Sequence, residues 1–275
     1  MKEFCFEKGI LKLDGKGLVM GILNVTPDSF SDGGRFFSSD AATAHVKQML
    51  CDGADIIDIG AMSTRPGSIP VTSEEEIERL APVLCEITKI PDIILSVDTV
   101  NPPVAEFALA HGADIINDVS GFFNENMAAV VKKYNAGWIV THTGNVPAGA
   151  VLEYPDGVVA SVNSFFDEML EKCEKFGIGK KNICLDPGFG FAKTVDDNVD
   201  LLKNLEKVIR PDIAFLTGLS RKRFIGALTK VENADERIVG TLAADMIALM
   251  KGSDIIRVHD VKEAAESVAI FNSIV

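Results

Sequence analysis

Residues 186–194 (DPGFGFAKT) and 218–226 (GLSRKRFIG) each follow a short apolar run and break it with glycine and charge. The first opens on an acid, Asp186. The second carries Ser220 and then three consecutive cations, Arg221, Lys222 and Arg223. Similar polar residues close other apolar runs: Asn24, Asp98, Asn117, His142 and the pair Arg257 and His259, with Thr64 and Arg65 just beyond residues 54–60. Arg257 and His259 are two positions apart, so in a strand both side chains point to one face. Two unpaired cations buried side by side are costly, which calls for an anion.

Taken singly, these residues have plainer readings. Asp98 and Thr99 could cap a helix opening at Pro102, Asp186 could be the turn-former of Asp-Pro-Gly, and a lone histidine such as His142 is more often packed in a core. Cations in a helix's first turn oppose its dipole, so the SRKR segment favours a bound anion over a solvated turn. Together the residues form two poles. Asp98, Asn117, Asp186 and Lys222 suit a flat, nitrogen-rich heterocycle. Arg65, Arg257 and His259, with Arg221 beside them, suit a phosphate or carboxylate, whose oxygens match a guanidinium bidentately. A heterocycle bearing a phosphate ester satisfies both poles, as in a small-molecule transferase or hydrolase site.

The elements that must position these groups are readable from hydrophobic patterning. Strands are expected at 17–24, 54–60, 93–98, 113–118, 137–142, 182–186, 213–218 and 254–259, and helices near 40–52, 73–89, 102–111, 125–134, 157–176, 195–207, 235–251 and 260–273. Thr72 or Ser73 with Glu75 and Glu76 forms a capping region, and Pro102 and Pro103 suit a first helical turn. The segments DGADIIDIG, HGADIINDVSG and KGSDIIRVHDV echo one another, each running from a glycine-ended helix into a strand. Such uniformly apolar strands belong to a parallel sheet covered by helices. Eight βα units in this length predict an α/β fold, a (β/α)8 TIM barrel formed as one domain over residues 1–275. Its chemistry then lies at the carboxyl ends of the strands. A doubly wound open sheet is the rival with fewer central strands. The residues before 17 are expected to form a hairpin closing the barrel's bottom.

Composition narrows the partners. The 275 residues carry a net charge of −13, which argues against nucleic acid or an anionic membrane surface, so any bound anion must meet local cations. The five cysteines are scattered and form no CxxC pair, so disulfides and a cysteine-held metal are not expected. The N-terminus lacks a signal-peptide core and no apolar run approaches a membrane span, so a soluble cytoplasmic protein is expected.

The segments GILNVTPDSFSDGG (21–34), STRPGS (63–68), SVDT (96–99), NDVSG (117–121), LDPGFGFAKT (185–194), GLSRKRFIG (218–226) and RVHDV (257–261) closely resemble the dihydropteroate synthase family, in order, from about residue 17 to the C-terminus. The resemblance implies condensation of 6-hydroxymethyl-7,8-dihydropterin pyrophosphate with para-aminobenzoate, giving dihydropteroate and pyrophosphate in folate biosynthesis. It implies that Asp98, Asn117, Asp186 and Lys222 line the pterin pocket and that Asn24, Arg257 and His259 hold the pyrophosphate, with Mg²⁺ near Asn24. Thr64, Arg65 and Pro66, with Ser220 and the Phe189–Phe191 region, match the surroundings of para-aminobenzoate. Asp98, Asp186, Lys222, Arg257 and His259 are the residues it assigns to catalysis. The family reaction is taken to be dissociative, the C–O bond breaking before the aryl amine attacks. Residues 26–35, hinged at Gly33 and Gly34, and 61–70 correspond to two closing loops, and the apolar last helices to a homodimer seam.

Two departures stand out. Met62 occupies the place of a common Glu before STRPG, and Thr141-His142-Thr143 replaces a common Met-His-Met. They keep a non-catalytic pterin-binding paralogue in play. A methyltetrahydrofolate-dependent methyltransferase shares the barrel but lacks the STRPG and SRKRFIG elements.

Overall fold

The computed structural model describes residues 2–25, 39–62, 71–146 and 149–275. At the N-terminus β1 (Lys2–Phe6) and β2 (Gly9–Leu13) pair as an antiparallel hairpin. The strands β3 (Leu18–Asn24), β4 (Ile56–Gly60), β5 (Leu95–Asp98), β6 (Ile115–Asp118), β7 (Gly137–Thr141), β8 (Ile183–Asp186), β9 (Ala214–Thr217) and β10 (Ile255–Val258) then close into a parallel barrel. They lie in chain order, with β10 pairing both β9 and β3. Around them run α1 (Ser39–Cys51), α2 (Ser73–Ile87), α3 (Pro102–Ala110), α4 (Glu125–Lys133), α5 (Val158–Phe176), α6 (Val195–Lys203), α7 (Arg223–Thr229), α8 (Ile238–Met250) and α9 (Val261–Asn272). This is the expected TIM barrel.

Period-two alternation sorts each strand between two cores. Outward residues such as Ile57, Ile59, Val97, Ile116, Val140, Leu185 and Phe215 pack with Leu80, Leu84, Ala105, Val131 and Phe166 of the helices. Inward residues Met20, Ile56, Ile115, Ile139, Cys184, Ala214, Leu216 and Ile255 meet Phe4, Phe6 and Leu13 of the hairpin. Both faces of each strand are therefore dry at this level, which is why the runs are continuously apolar. The hairpin plugs the amino end of the barrel, and burying one side chain such as Phe4 contributes roughly 1.5–3 kcal/mol. Lys2 Nζ, 2.7 Å from Asp254 Oδ2, ties the plug to the base of β10, while the same oxygen accepts the Phe215 N–H at 2.8 Å.

Helix ends follow the sequence signals closely. Thr72 caps α2 in a reciprocal box with Glu75, while Glu76 turns inward and accepts from Asn101 Nδ2 at 2.6 Å. Pro102 and Pro103 open α3. One element differs from expectation. A single helix near 235–251 was expected after β9, and the structure adds α7, which ends at Lys230 in the left-handed region. Seven residues are too few to display a helical period.

Candidate active site

Above the apolar layer, the inward positions of the barrel turn polar. The register runs across one rung from Asn24 to Gly60, from Gly60 to Asp98 and from Asp98 to Asn117, while Thr141 stands beside Asp186. Gly60 leaves room on this rung: a Cβ there would lie 3.5 Å from that of Asp98. The carboxyl ends of separate strands thus bring Asn24, Asp98, Asn117 and Asp186 to one rim.

Arg257 sits at the centre. Its Nε donates to Asp58 Oδ2 at 2.6 Å and its Nη2 to Asp98 Oδ2 at 2.9 Å. Asn117 Nδ2 donates to the same Asp58 oxygen at 3.0 Å. The cation expected to demand an anion is therefore partly met from within the barrel. Burial pushes the Asp98 carboxyl up to about 7, reinforced by the nearby acids Asp58, Glu76 and Asp118 and opposed by Arg257.

Asp186 and Lys222 form the facing side. Burial raises the Asp186 carboxyl; the Gly188 N–H, donated to its Oδ1 at 2.8 Å, and the charges of Lys222, Lys193 and Arg257 oppose that shift. Burial lowers the Lys222 ammonium to about 8, with Asp186 and Asp98 holding it up and Arg257 adding to the fall. Lys222 Nζ also lies 4.4 Å from the centre of the Phe191 ring. At neutral pH it is mostly a cation, with little distance to its neutral form.

At the ends of β9 and β10, the Ser220 hydroxyl lies 3.0 Å from His259 Nδ1 and accepts the His259 backbone N–H at 3.2 Å. Two residues take places other than those expected. Phe189 is buried in the outer core, stacked on Phe224 with ring centres 6.1 Å apart, and it is Phe191 that underlies Lys222. Arg221 is bound bidentately to Asp260, at 3.0 and 2.6 Å, and also to Asp235, so its charge is spent on the outer wall. Thr64, Arg65 and Pro66 lie outside the described residues, as do residues 26–35 and 63–70 of the two expected closing loops. Met62 is half-buried, and Thr141 and Thr143 are buried.

His142 is a packed histidine. Burial, then the charge of Lys193, push its imidazole down to about 3. Lys193, whose ammonium burial lowers to about 7, lies 2.9 Å from His142 Nδ1. Sequence reasoning missed Lys193 and Asp58. Asp58 had a signal, since it is the one charged residue within the run 56–60, on the inward side of β4. Lys193 had none, because three of its four partners are backbone carbonyls and the fourth, His142, is 51 positions away.

What the rim can do chemically follows from these groups. It offers buried acceptors and donors on one side, Arg257 on the other, and a lysine whose ammonium is depressed. That set can read the edge of a flat heterocycle and stabilise charge forming beside it.

Comparison with known proteins agrees. A family model described as "Pterin binding enzyme" matches residues 20–259. The dihydropteroate synthase of Streptococcus pyogenes serotype M6 is 42% identical over 268 residues, covering 97% of this chain and 98% of that protein. That of Bacillus subtilis is 45% identical over 251 residues, covering 91% and 86%. The solved structure of Xanthomonas albilineans dihydropteroate synthase with 4-aminobenzoic acid superposes with a TM-score of 0.90 at 40% identity, covering 96% of this chain and 95% of that one.

Proposed function

The chain belongs to the dihydropteroate synthase family of pterin-binding enzymes, and we infer that it joins a pterin pyrophosphate to para-aminobenzoate, releasing pyrophosphate and forming dihydropteroate for folate biosynthesis. The observation that carries this reading is the convergence of Asp98, Asn117, Asp186, Lys222 and Arg257 on one barrel rim. The first four are the residues that the resemblance assigns to a pterin pocket, and Arg257 is one that it assigns to the pyrophosphate.

In this reading Asp186, Asn117 and Lys222 hold the pterin edge. Asp98 and Asp186 stabilise positive charge as the bond to pyrophosphate weakens, while Arg257 and His259 meet the negative charge on the departing group. No strong general base is needed, because an unprotonated aryl amine is already nucleophilic. Ser220 lies on the side from which that amine approaches, to which the resemblance also assigns Thr64, Arg65 and Pro66.

Mg²⁺ fits this site. It keeps several waters and takes few protein ligands besides substrate phosphates, so the side-chain oxygen of Asn24 at the rim would hold it together with the pyrophosphate. The described residues contain no cluster of three or more His, Cys, Asp or Glu suited to a protein-only cage. When bound, the ion would neutralise charge on the pyrophosphate.

A homodimer is supported by exposed apolar residues on the last helices and the C-terminus: Val239, Met250, Ile270, Ile274 and Val275. Five free cysteines suit a reducing compartment, which supports the cytoplasm. No helix among the described residues is long and apolar enough to cross a membrane.

The test is to supply Mg²⁺, the pterin pyrophosphate and para-aminobenzoate and to measure pyrophosphate. Release that requires both organic substrates supports the reading. Pterin binding without turnover would point instead to a non-catalytic paralogue.

A further inference from the structure

We propose that Lys193 is a positioning residue for this reaction: buried behind the rim, it holds the loop between β8 and α6 in the shape that presents Asp186 and Phe191. The proposal rests on the dihydropteroate synthase reading and adds a residue to it.

The Lys193 ammonium is surrounded by acceptors. It lies 2.9 Å from His142 Nδ1, 3.1 Å from His142 O, 2.9 Å from Gly188 O and 3.2 Å from Phe191 O, and the residue is only 6% exposed. Three of those four acceptors are backbone carbonyls, which lose their charged donor if the ammonium goes.

The gripped peptides are those that set the rim. Gly188 gives its carbonyl to Lys193 and its N–H to Asp186 Oδ1 at 2.8 Å, so one residue links the ammonium to the acid. Phe191 gives its carbonyl to Lys193 and places its ring 4.4 Å from Lys222 Nζ. A single buried cation thereby fixes the surroundings of an acid and a cation on the rim. On its other side the neutral His142 accepts at Nδ1 and donates through Nε2 to Ser161 Oγ at 3.2 Å, which fastens the assembly to α5.

Local preference alone disfavours this shape, for the loop carries three left-handed residues within five positions: Gly188 at φ 67°, Gly190 at 80° and Ala192 at 51°. Such a conformation strains a non-glycine residue, and at Gly188 a Cβ would stand 2.0 Å from His142 O. Further contacts must hold it there, and the Nζ of Lys193, itself in the loop, supplies two across the loop, to Gly188 O and Phe191 O, and a third that ties the loop to His142 O.

The test compares wild type with Lys193→Met, which keeps most of the stem and removes the donors, and Lys193→Gln, which keeps neutral donors on an arm as long as that of methionine. Kinetics with both substrates and equilibrium binding of the pterin pyrophosphate are measured below each variant's melting temperature. In Lys193→Met, pterin affinity and kcat fall on the order of 10- to 100-fold, as small misplacements of reacting groups do, with partial recovery in Lys193→Gln. A folded Lys193→Met whose kcat, KM and pterin binding stay within twofold of wild type, whatever its melting temperature, overturns the proposal. Wild type that releases no pyrophosphate would defeat the parent reading instead, so the two failures are distinct. If neither variant folds, a crystal structure of wild type with bound pterin decides. Lys193 Nζ on the Gly188 and Phe191 carbonyls, with Asp186 on the pterin, supports the proposal. Nζ withdrawn from them, or touching the ligand, overturns it.

Discussion

Replacing Arg257 with methionine tests the charge balance at the centre of the rim. The substitution keeps an apolar stem of similar reach and removes the cation that bridges Asp58 and Asp98. Asp58 is fully buried, and removing one partner of a buried pair costs about 3–5 kcal/mol. A chain of 275 residues unfolds with an entropy of about 0.6 kcal/mol per kelvin, so the melting temperature should fall by roughly 5–9 °C. The loss depends on pH, with a definite sign. Asp98 already holds its proton up to about 7, above the ordinary carboxylate range, so the folded state binds the proton more tightly and stability falls as pH rises toward that value. Arg257 is the principal group opposing this shift, so its removal extends the window upward. Scanning calorimetry at pH 6 and pH 8.5 should therefore show a larger drop at pH 8.5. Adding Asp58→Asn to Arg257→Met should recover part of the loss, since one of two unneutralised acids disappears. An equal drop at both pH values, or strict additivity in the double variant, would refute the reasoning.

Lys222→Ala and Asp186→Asn should each weaken pterin binding or turnover with the far-ultraviolet circular dichroism unchanged; unaltered steady-state kinetics in both would remove them from the site. In the wild type, pterin affinity read by titration calorimetry should decline as pH passes about 8, where Lys222 loses its charge, and Lys222→Arg should move that decline upward. Chelation of Mg²⁺ should abolish pyrophosphate release, and Asn24→Ala should raise the Mg²⁺ concentration needed for half-maximal rate. Asp245 on α8 is fully buried, neither of its oxygens has a hydrogen-bond partner among the described residues, and burial pushes its carboxyl well up. Asp245→Ala should therefore stabilise the fold by about 1–3 kcal/mol, seen as a higher melting temperature above pH 7.

The barrel was legible because its strands are dry on both faces and recur at regular spacing, and the rim was legible because barrel chemistry gathers at strand ends. Asp98, Asn117, Asp186, Lys222 and Arg257 all come from that rule, and the barrel brings them together. Asp58 escaped it by lying two positions before the end of β4, where it reads as part of an apolar run. Phe189 and Phe191 are separated by one residue in a loop of left-handed turns, so no strand periodicity tells which ring faces the core. Arg221 looked like an anion binder because its partners, Asp235 and Asp260, are distant in sequence or lie past the following strand.

The bridge made by Arg257 also bears on how the polypeptide acquires its shape. The two acids it neutralises stand 199 and 159 positions upstream, on the early staves β4 and β5, whereas the arginine belongs to the last stave. A nascent chain still lacking β10 would hold Asp58 and Asp98 side by side without their counter-ion, so a partial barrel is penalised electrostatically as well as by its open edges. Closure of the ring and completion of the binding cup are then the same late event, dominated by contacts of very long sequence separation. Intermediates that look nearly finished should bind no pterin.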